Sequence, residues 1–359
     1  MGQNAPHYKL EKLPPLREKV ETIEILRQTN KSTAALAELK GIARTIPNQG
    51  MLINAVVLQE AKDSSEIENI ITTQDELYKA LTVNKSHISP ATKEVVDYRK
   101  AIFHGFELAK RQGFLRVNDI VDIQQVLVDN TAGIRRTPGT VLKNDTTGEI
   151  VYTPPQDKAE ILDLLTNFIN HFNQQDDLSP LINMAILHYQ FESIHPFYDG
   201  NGRTGRIINI LYLIKERLQS LPVLYLSNYI IKHKTDYYRL LQQVREEESW
   251  EEWIMFMIKG VEQTSRETID LIIKIKELMQ VFKNRLRTNY KFYSQDLLNN
   301  LFKHPYTKIE FLVNDLGISR LTAANYLNKL AEDNLLTKVK LGTGNYYINQ
   351  ELFDLLSDR

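Results

Sequence analysis

His195-Pro196-Phe197-Tyr198-Asp199-Gly200-Asn201-Gly202-Arg203-Thr204-Gly205-Arg206 brings one imidazole, one carboxylate, three glycines, one amide and two arginines into twelve positions. Taken singly these are ordinary residues: a histidine before a proline is usually structural, a glycine-rich turn is usually a turn, and helix arginines are usually solvated. Their joint occurrence marks a site. Gly200-Asn201-Gly202 can aim backbone N–H groups at one point, and a helix starting near Gly202 adds its positive end, so an anion is favoured there. Arg203 and Arg206, three apart on that helix, reach phosphate oxygens. Asp199 is a hard oxygen ligand suited to Mg²⁺ shared with phosphates. His195 is the one group of the loop that takes up a proton near neutral pH. Pro196 fixes the chain after it, and Phe197 is expected to plug into the core. His188, seven residues earlier, makes a weak zinc pair with His195 because no third ligand accompanies them.

Working outward, residues 180–194 and about 202–219 carry apolar residues at helical spacing on either side of the loop, with Pro180 suited to a first turn. Ile207, Ile208, Ile210, Leu211, Leu213 and Ile214 cover more than one face, which places that helix in the middle of a bundle. The same spacing recurs at 158–172, 237–247 and 250–279, and upstream at 32–43, 51–61 and 74–81, broken at Pro47-Asn48-Gln49-Gly50. Pro14-Pro15 closes an extended N-terminal arm. Arg245-Glu246-Glu247-Glu248 reads as a solvated helix end. Between residues 134 and 155 the texture changes, and Thr140-Val141-Leu142 and Glu149-Ile150-Val151-Tyr152 flank the turn-rich Asn144-Asp145-Thr146-Thr147-Gly148, which predicts a β-hairpin on a helical body. From about residue 283 it changes again: 309–315, a turn at Leu316-Gly317-Ile318 and a helix over 319–332 capped by Ser319 precede a hairpin of 335–340 with 346–348. Helix, turn, helix and hairpin resemble a winged-helix domain.

With 359 residues, 42% apolar and 25% charged, the chain has the make-up of an ordinary globular protein of two or three compact units. No uncharged apolar run approaches the ~20 residues of a membrane helix, and the N-terminus lacks a secretory pattern. There is no cysteine, which excludes thiol nucleophiles and thiolate metal sites and agrees with a cytoplasmic location. A net charge of −1 gives no whole-chain electrostatic footprint for nucleic acid.

The loop resembles the Fic-domain signature H-x-F-x-[DE]-G-N-G-R-x-x-R, with His195, Phe197, Asp199, Gly200, Asn201, Gly202, Arg203 and Arg206 on its fixed positions. The resemblance implies a mostly α fold, a Fic helical bundle with a β-hairpin flap, here followed by a C-terminal winged-helix (α+β) domain. It divides the chain into an N-terminal helical region (1–95), a catalytic core (96–280) and the winged-helix-like region (281–359). It implies transfer of AMP from ATP onto a Ser, Thr or Tyr hydroxyl of a protein, the chain itself included. His195 would then be the base, Asp199 the Mg²⁺ ligand, and Gly200, Asn201, Gly202, Arg203, Thr204, Gly205 and Arg206 the ATP phosphate site, while the hairpin would align the target by strand addition.

Ser64-Ser65-Glu66-Ile67-Glu68-Asn69 resembles the family's inhibitory motif [ST]-x-x-x-E-[GN], with Ser64, Glu68 and Asn69 on its fixed positions. The resemblance sets Glu68 against Arg206, removing a phosphate clamp and placing negative charge where the ATP tail goes. Without that resemblance the segment reads as an ordinary helix start with acidic residues. Tyr237-Tyr238 resembles the family's tyrosine pair, with Tyr238 against adenine. Arg245 stands where some members carry an asparagine that contacts the nucleotide. Leu224-Tyr225-Leu226-Ser227 is similar to the segment after the loop in bacterial members, which often form homodimers. The C-terminal region suits DNA through residues 319–332, with Arg320 and Lys329 near phosphates, or a protein contact, since Glu332 and Asp333 close the same helix. The competing readings are a DNA-binding regulator whose core senses nucleotide, an antitoxin-like partner protein, and the reverse reaction, removal of AMP, with Glu68 orienting water.

Overall fold

In the computed structural model, residues 9–46, 49–82, 88–144, 147–341 and 344–357 are described. The chain begins α1 (Arg17–Val20), α2 (Ile23–Ala43), α3 (Gln49–Ile67), α4 (Gln74–Thr82), α5 (Pro90–Gln112) and α6 (Val117–Val128). Local chemistry starts and stops these helices. Thr22 caps α2 from its side chain at 3.3 Å. Thr73 and Glu76 exchange backbone and side-chain bonds at the head of α4. Ser89 caps α5, Pro90 opens it, and Gly113 ends it in the left-handed region (φ 73°). The pair β1 (Leu142–Lys143) and β2 (Ile150–Tyr152) follows, antiparallel as the sequence predicts, although two of its turn residues, Asp145 and Thr146, lie outside the described residues.

The body continues through α7 (Lys158–Asn173), α8 (Pro180–Ile194), α9 (Asn201–Lys215), α10 (Leu226–Lys232), α11 (Lys234–Glu247) and α12 (Trp250–Asn289). Every residue of α8 from Leu181 onward is buried, and α9 is buried at Asn201 and from Arg203 to Leu213. These two helices pack on each other at the centre, with α5 against α9 and α12 against α8 and α2. Both therefore lack a polar face, and the loop 195–200 joining them is held by the core on both sides.

Last come α13 (Gln295–Lys303), β3 (Tyr306–Thr307), α14 (Ile309–Leu316), α15 (Arg320–Glu332), β4 (Thr337–Leu341), β5 (Gly344–Ile348) and α16 (Gln350–Ser357). Ser319 caps α15 and Gly317 (φ 66°) ends α14, as read from the sequence. The strands form an antiparallel sheet ordered β3-β5-β4, an arrangement compatible with a winged helix. The sequence divisions at 95 and 280 fall inside α5 and α12, which run unbroken through them. Periodicity marks where a helix is amphipathic but not where one packing unit hands it to the next. α12 is 40 residues long because no glycine or proline interrupts it after Gly260.

Candidate active site

The site is built at the junction of the two central helices. α8 ends on His195, whose φ of +48° is unfavourable for a residue with a Cβ. Arg135, fully buried, holds it there: its Nε donates to the His195 carbonyl at 2.7 Å, and its Nη2 to the carbonyls of Ile194 (3.3 Å) and Pro155. The Arg135 backbone N–H donates to Pro196 at 3.0 Å, and Ile134 bridges Phe197, which sits buried in the core as expected. Burial and the Arg135 charge together push His195 down to about 4, against the opposing pull of Glu68 and the Glu192 carbonyl. The half-buried imidazole is therefore neutral, the form that accepts a proton.

Asn201 closes the loop in both directions. Its Oδ1 accepts from the Phe197 N–H and its Nδ2 donates to the Phe197 carbonyl, each at 2.8 Å. Its side chain therefore shapes the loop, both of its amide atoms being engaged by the Phe197 backbone. Gly200 must be glycine: φ is 77°, and a Cβ would come within 2.8 Å of Val128. It precedes α9 without a side-chain cap, so the first N–H groups of that helix have no capping side chain. Thr204 is buried behind the turn, its hydroxyl without a partner among the described residues.

The two arginines are buried and each is held by a carboxylate. Arg203 meets Glu94 of α5 at 2.8 Å and Asp199 at 3.4 Å. Asp199 is exposed, and its Oδ1 also accepts the Gly200 N–H at 2.6 Å. Arg206 donates to the Ser64 hydroxyl (2.7 Å), the Ser64 carbonyl (2.9 Å) and Glu68 Oε1 (2.8 Å). Burial alone would raise the Glu68 carboxyl, but the charge and hydrogen bond of Arg206, helped by Arg203 and His195, hold it below the usual carboxylate range. Glu68 lies over Gly202, where a Cβ would overlap its Oε1 and crowd Arg206 Nη1 at 3.0 Å. Gly205 likewise lets α9 approach α8, since a Cβ there would meet Glu192 Oε1 at 2.7 Å. The segment 64–69 is not a helix start. It is the C-terminal end of α3, and Asn69, in the left-handed region (φ 61°) with its Oδ1 accepting from Lys234, turns the chain out of that helix.

Beneath Arg206 lies a polar layer that local sequence did not mark. Burial pushes Glu192 up to about 7 against the charge of Arg206, and its Oε1 has no hydrogen-bond partner among the described residues. Glu60 of α3, also pushed up to about 7 by burial, accepts from the Ser227 N–H and hydroxyl and from Tyr98. Asp63 accepts from Tyr225 and Asn228. Leu224-Tyr225-Leu226-Ser227 is thus the rail that fixes α3, and with it Ser64 and Glu68. His188 is a core histidine: Nε2 bonds Tyr237 at 2.8 Å, Nδ1 faces Asn209, its ring stacks on Trp253, and burial with the nearby Arg206 charge pushes it down to about 3. That engagement removes it as a zinc partner.

Tyr237 is buried and Tyr238 is 45% exposed, so only Tyr238 offers a ring face to solvent. Arg245 is not part of a solvated helix end. It stacks on Tyr152 of the hairpin at 4.0 Å and points toward Ser193 at 3.4 Å, because β2 folds back over α11. Tyr152, buried, donates to the Ser193 carbonyl at 2.9 Å and anchors the hairpin two residues before His195. Tyr198 accepts from the backbone N–H groups of Arg136 and Thr137 on the approach to it. Glu94, Arg135 and Glu192 escaped sequence reading because each acts on the loop from a helix or turn remote from it or from inside the core, where a charged residue carries no local pattern.

A loop of this geometry at the junction of two buried helices, under the carboxylate just past the end of α3 and beside a β-hairpin, defines a Fic-domain protein. Three family models match the chain: Fic/DOC family N-terminal over residues 26–107, Fic/DOC family over 114–213, and protein adenylyltransferase SoFic-like, C-terminal domain, over 278–352. The chain belongs to the Fic/DOC family. It is 27% identical over 114 residues to protein adenylyltransferase fic-1 of Caenorhabditis elegans, a stretch that covers 30% of this chain and 21% of the relative. It is also 27% identical over 119 residues to protein adenylyltransferase Fic of Drosophila grimshawi, covering 33% and 22%. The matched part thus spans about a fifth of the length of these curated relatives. In fold it is similar to a Fic family protein from Desulfovibrio desulfuricans (TM-score 0.59, 19% identity, 91% of this chain and 96% of that one). It is similar as well to Fic-1 from C. elegans (TM-score 0.55, 17% identity, 70% and 74%).

Proposed function

We propose that this chain transfers AMP from ATP onto a hydroxyl of a protein target and that Glu68 holds the reaction off at rest. The observation that carries this reading is Arg206 gripped by Ser64 and Glu68 on the same loop that presents a neutral His195. The adenylyltransferase names of the relatives support the reaction type. In the reaction the target oxygen attacks the α-phosphorus, the bond to the bridging oxygen breaks and pyrophosphate leaves. His195 takes the hydroxyl proton. The loop N–H groups, Arg203 and Arg206 stabilise the charge that moves onto the leaving group. Asp199 fits Mg²⁺ by its exposed carboxylate at the phosphate site, since this ion is commonly held by one or two carboxylates and substrate phosphates; when bound it would neutralise phosphate charge. Among the described residues no group of three or more His, Asp or Glu forms a protein metal cage. Tyr238 would face the adenine, and the edge of the hairpin would take the target segment as an added strand. The described residues contain no helix long and apolar enough to cross a membrane.

The deciding experiment incubates the protein with ATP labelled on the α-phosphate and Mg²⁺. Label on protein is expected to rise with Glu68→Gly and vanish with His195→Ala. Label that survives His195→Ala overturns the assigned base, and label unchanged by Glu68→Gly overturns the restraint. Release of AMP from an already modified target, faster with Glu68 intact, would favour the reverse reaction.

A further inference from the structure

Far from the loop, a cavity of about 170 Å³ lies where α3, α4 and α5 meet the C-terminal unit. Its walls are largely apolar: Ala55 and Leu58 of α3, Leu81 of α4, Phe302 and Phe311 from the C-terminal unit, and Leu356 of α16. Asn54, Thr82, His304 and Lys303, the last paired with Asp315 at 3.0 Å, also line it, and two further groups there keep unpaired polar atoms. Arg99 of α5 donates from Nη2 to Asn54 at 2.6 Å and lies over the Phe103 ring at 4.9 Å, but its buried Nε has no hydrogen-bond partner, and no carboxylate pairs with it among the described residues. Burial lowers its affinity for its proton, with no acidic group to oppose that. Tyr78 of α4 is 5% exposed, stacked on Tyr306, and its hydroxyl is also without a hydrogen bond. The Gln74 side-chain amide faces this hydroxyl, but neither group closes a hydrogen bond of good geometry among the described residues.

A half-buried guanidinium with no carboxylate on it and an unpaired buried Nε, a buried phenol whose hydroxyl closes no well-formed hydrogen bond, and largely apolar walls together specify the complementary ligand. We propose that this cavity binds a small aromatic anion, a single ring carrying one carboxylate or phosphate, with the anionic group on Arg99 and Tyr78 and the ring among the aliphatic and aromatic walls. Size sets the limit at one ring, because cavities of about 150 Å³ hold benzene whereas drug-sized ligands need about 300 Å³ or more. The walls connect the cavity to the catalytic end. α3 carries Ser64 past Leu58 and leads directly into Glu68, and α5 carries Glu94 five residues before Arg99. A bound anion therefore braces the two helices that grip Arg206 and Arg203.

The test is calorimetric titration of the full chain with benzoate and phenyl phosphate, beside benzamide as the neutral isostere, with thermal unfolding as a second readout. Neither depends on AMP transfer, so failure here leaves the proposed reaction standing. Saturable binding of benzoate or phenyl phosphate is expected, with benzamide weaker by about tenfold or more, the size of a charge-assisted hydrogen bond. The stronger of the two anions identifies carboxylate or phosphate as the natural group. Arg99→Gln is expected to remove the preference for the anion, and Tyr78→Phe, which deletes only the hydroxyl, to weaken binding severalfold. Ala55→Leu is expected to block all three probes by filling the space. Equal binding of benzamide, anion affinity that survives both Arg99→Gln and Tyr78→Phe, or no saturable binding of either anion to the folded parent overturns the proposal.

Discussion

Glu68 and Ser64 share the restraint on Arg206 unequally, and the inequality is measurable. The Glu68 contact joins two charges and the Ser64 hydroxyl contact only one, with the Ser64 carbonyl remaining in any substitution. Both bonds are charge-assisted, worth about 1.5–3 kcal/mol at most, but only the Glu68 contact adds ion-pair attraction, so Glu68→Gly is expected to raise the initial rate of labelling some ten- to hundredfold and Ser64→Ala by less. Equal gains would mean that the hydroxyl, not the carboxylate, sets the restraint. His195 is pushed down to about 4, so it remains an unprotonated base through neutral pH. In the Glu68→Gly variant, kcat/KM is expected to be flat from pH 8 to about 5 and to fall only near 4, since that substitution removes a carboxylate that favours the protonated form. A midpoint near 6.5 would show that burial does not govern the imidazole. Glu192 works the other way. Its folded value near 7 lies above that of the unfolded chain, so between about pH 4.5 and 7 the unfolded chain ionises first and stability falls as pH rises. The loss is on the order of 3 kcal/mol. Glu60, also pushed up to about 7, adds a slope of the same sign, so Glu192→Gln is expected to remove about half of the difference between pH 5 and 8 in chemical denaturation, and an unchanged slope would show that Glu192 does not contribute.

At the scale of elements, the hairpin and the loop are one construction. Arg135 ties residues 194–196 to Pro155, and Tyr152 ties β2 to Ser193, so the strand that would receive a target and the base that would deprotonate it share supports. Tyr152→Phe keeps the ring under Arg245 and loses one bond of about 1 kcal/mol, whereas Tyr152→Ala unseats the hairpin. Limited proteolysis is expected to cut the Tyr152→Ala variant within residues 142–152 much faster than the parent, with Tyr152→Phe close to the parent. Equal cutting of all three would mean that the hairpin is held elsewhere. The sequence announced both strands through β-prone runs around a turn, and it announced α8 and α9 through spacing. It did not announce that Arg245 would lie under the hairpin, because a charged residue near a helix end satisfies the same local pattern whether it faces water or an aromatic ring.

In the whole molecule the C-terminal unit is not a tethered appendage. α12 runs from the core into it, Tyr306 donates to Asp75 of α4 at 2.5 Å, Lys308 reaches the Thr82 carbonyl at 3.2 Å, and α13 packs on α3. Removing residues 290–359 would leave Met51, Ala55, Leu58 and Tyr78 facing water. The shortened chain is expected to unfold several degrees lower than the full chain and to self-associate, as exposed apolar patches do. An unchanged unfolding temperature would show that the two parts are energetically independent.

The sequence by itself determined the family and the fold class of this protein. The order of residues from His195 to Arg206 carries the Fic-domain signature, and helical spacing on both sides of it determines a mostly α bundle, because periodicity and local conformational demand are properties of neighbouring residues. Tertiary structure alone decided what those residues do to one another. It placed Glu68, just past the end of α3, on Arg206, Glu94 of α5 on Arg203 and Arg135 under His195, pairs separated by 138, 109 and 60 positions. It also left Arg99 half-buried, with an unpaired Nε and no carboxylate on it among the described residues. Charges act through space, and the desolvation that makes His195 neutral and Glu192 hold its proton exists only once remote helices have closed over them.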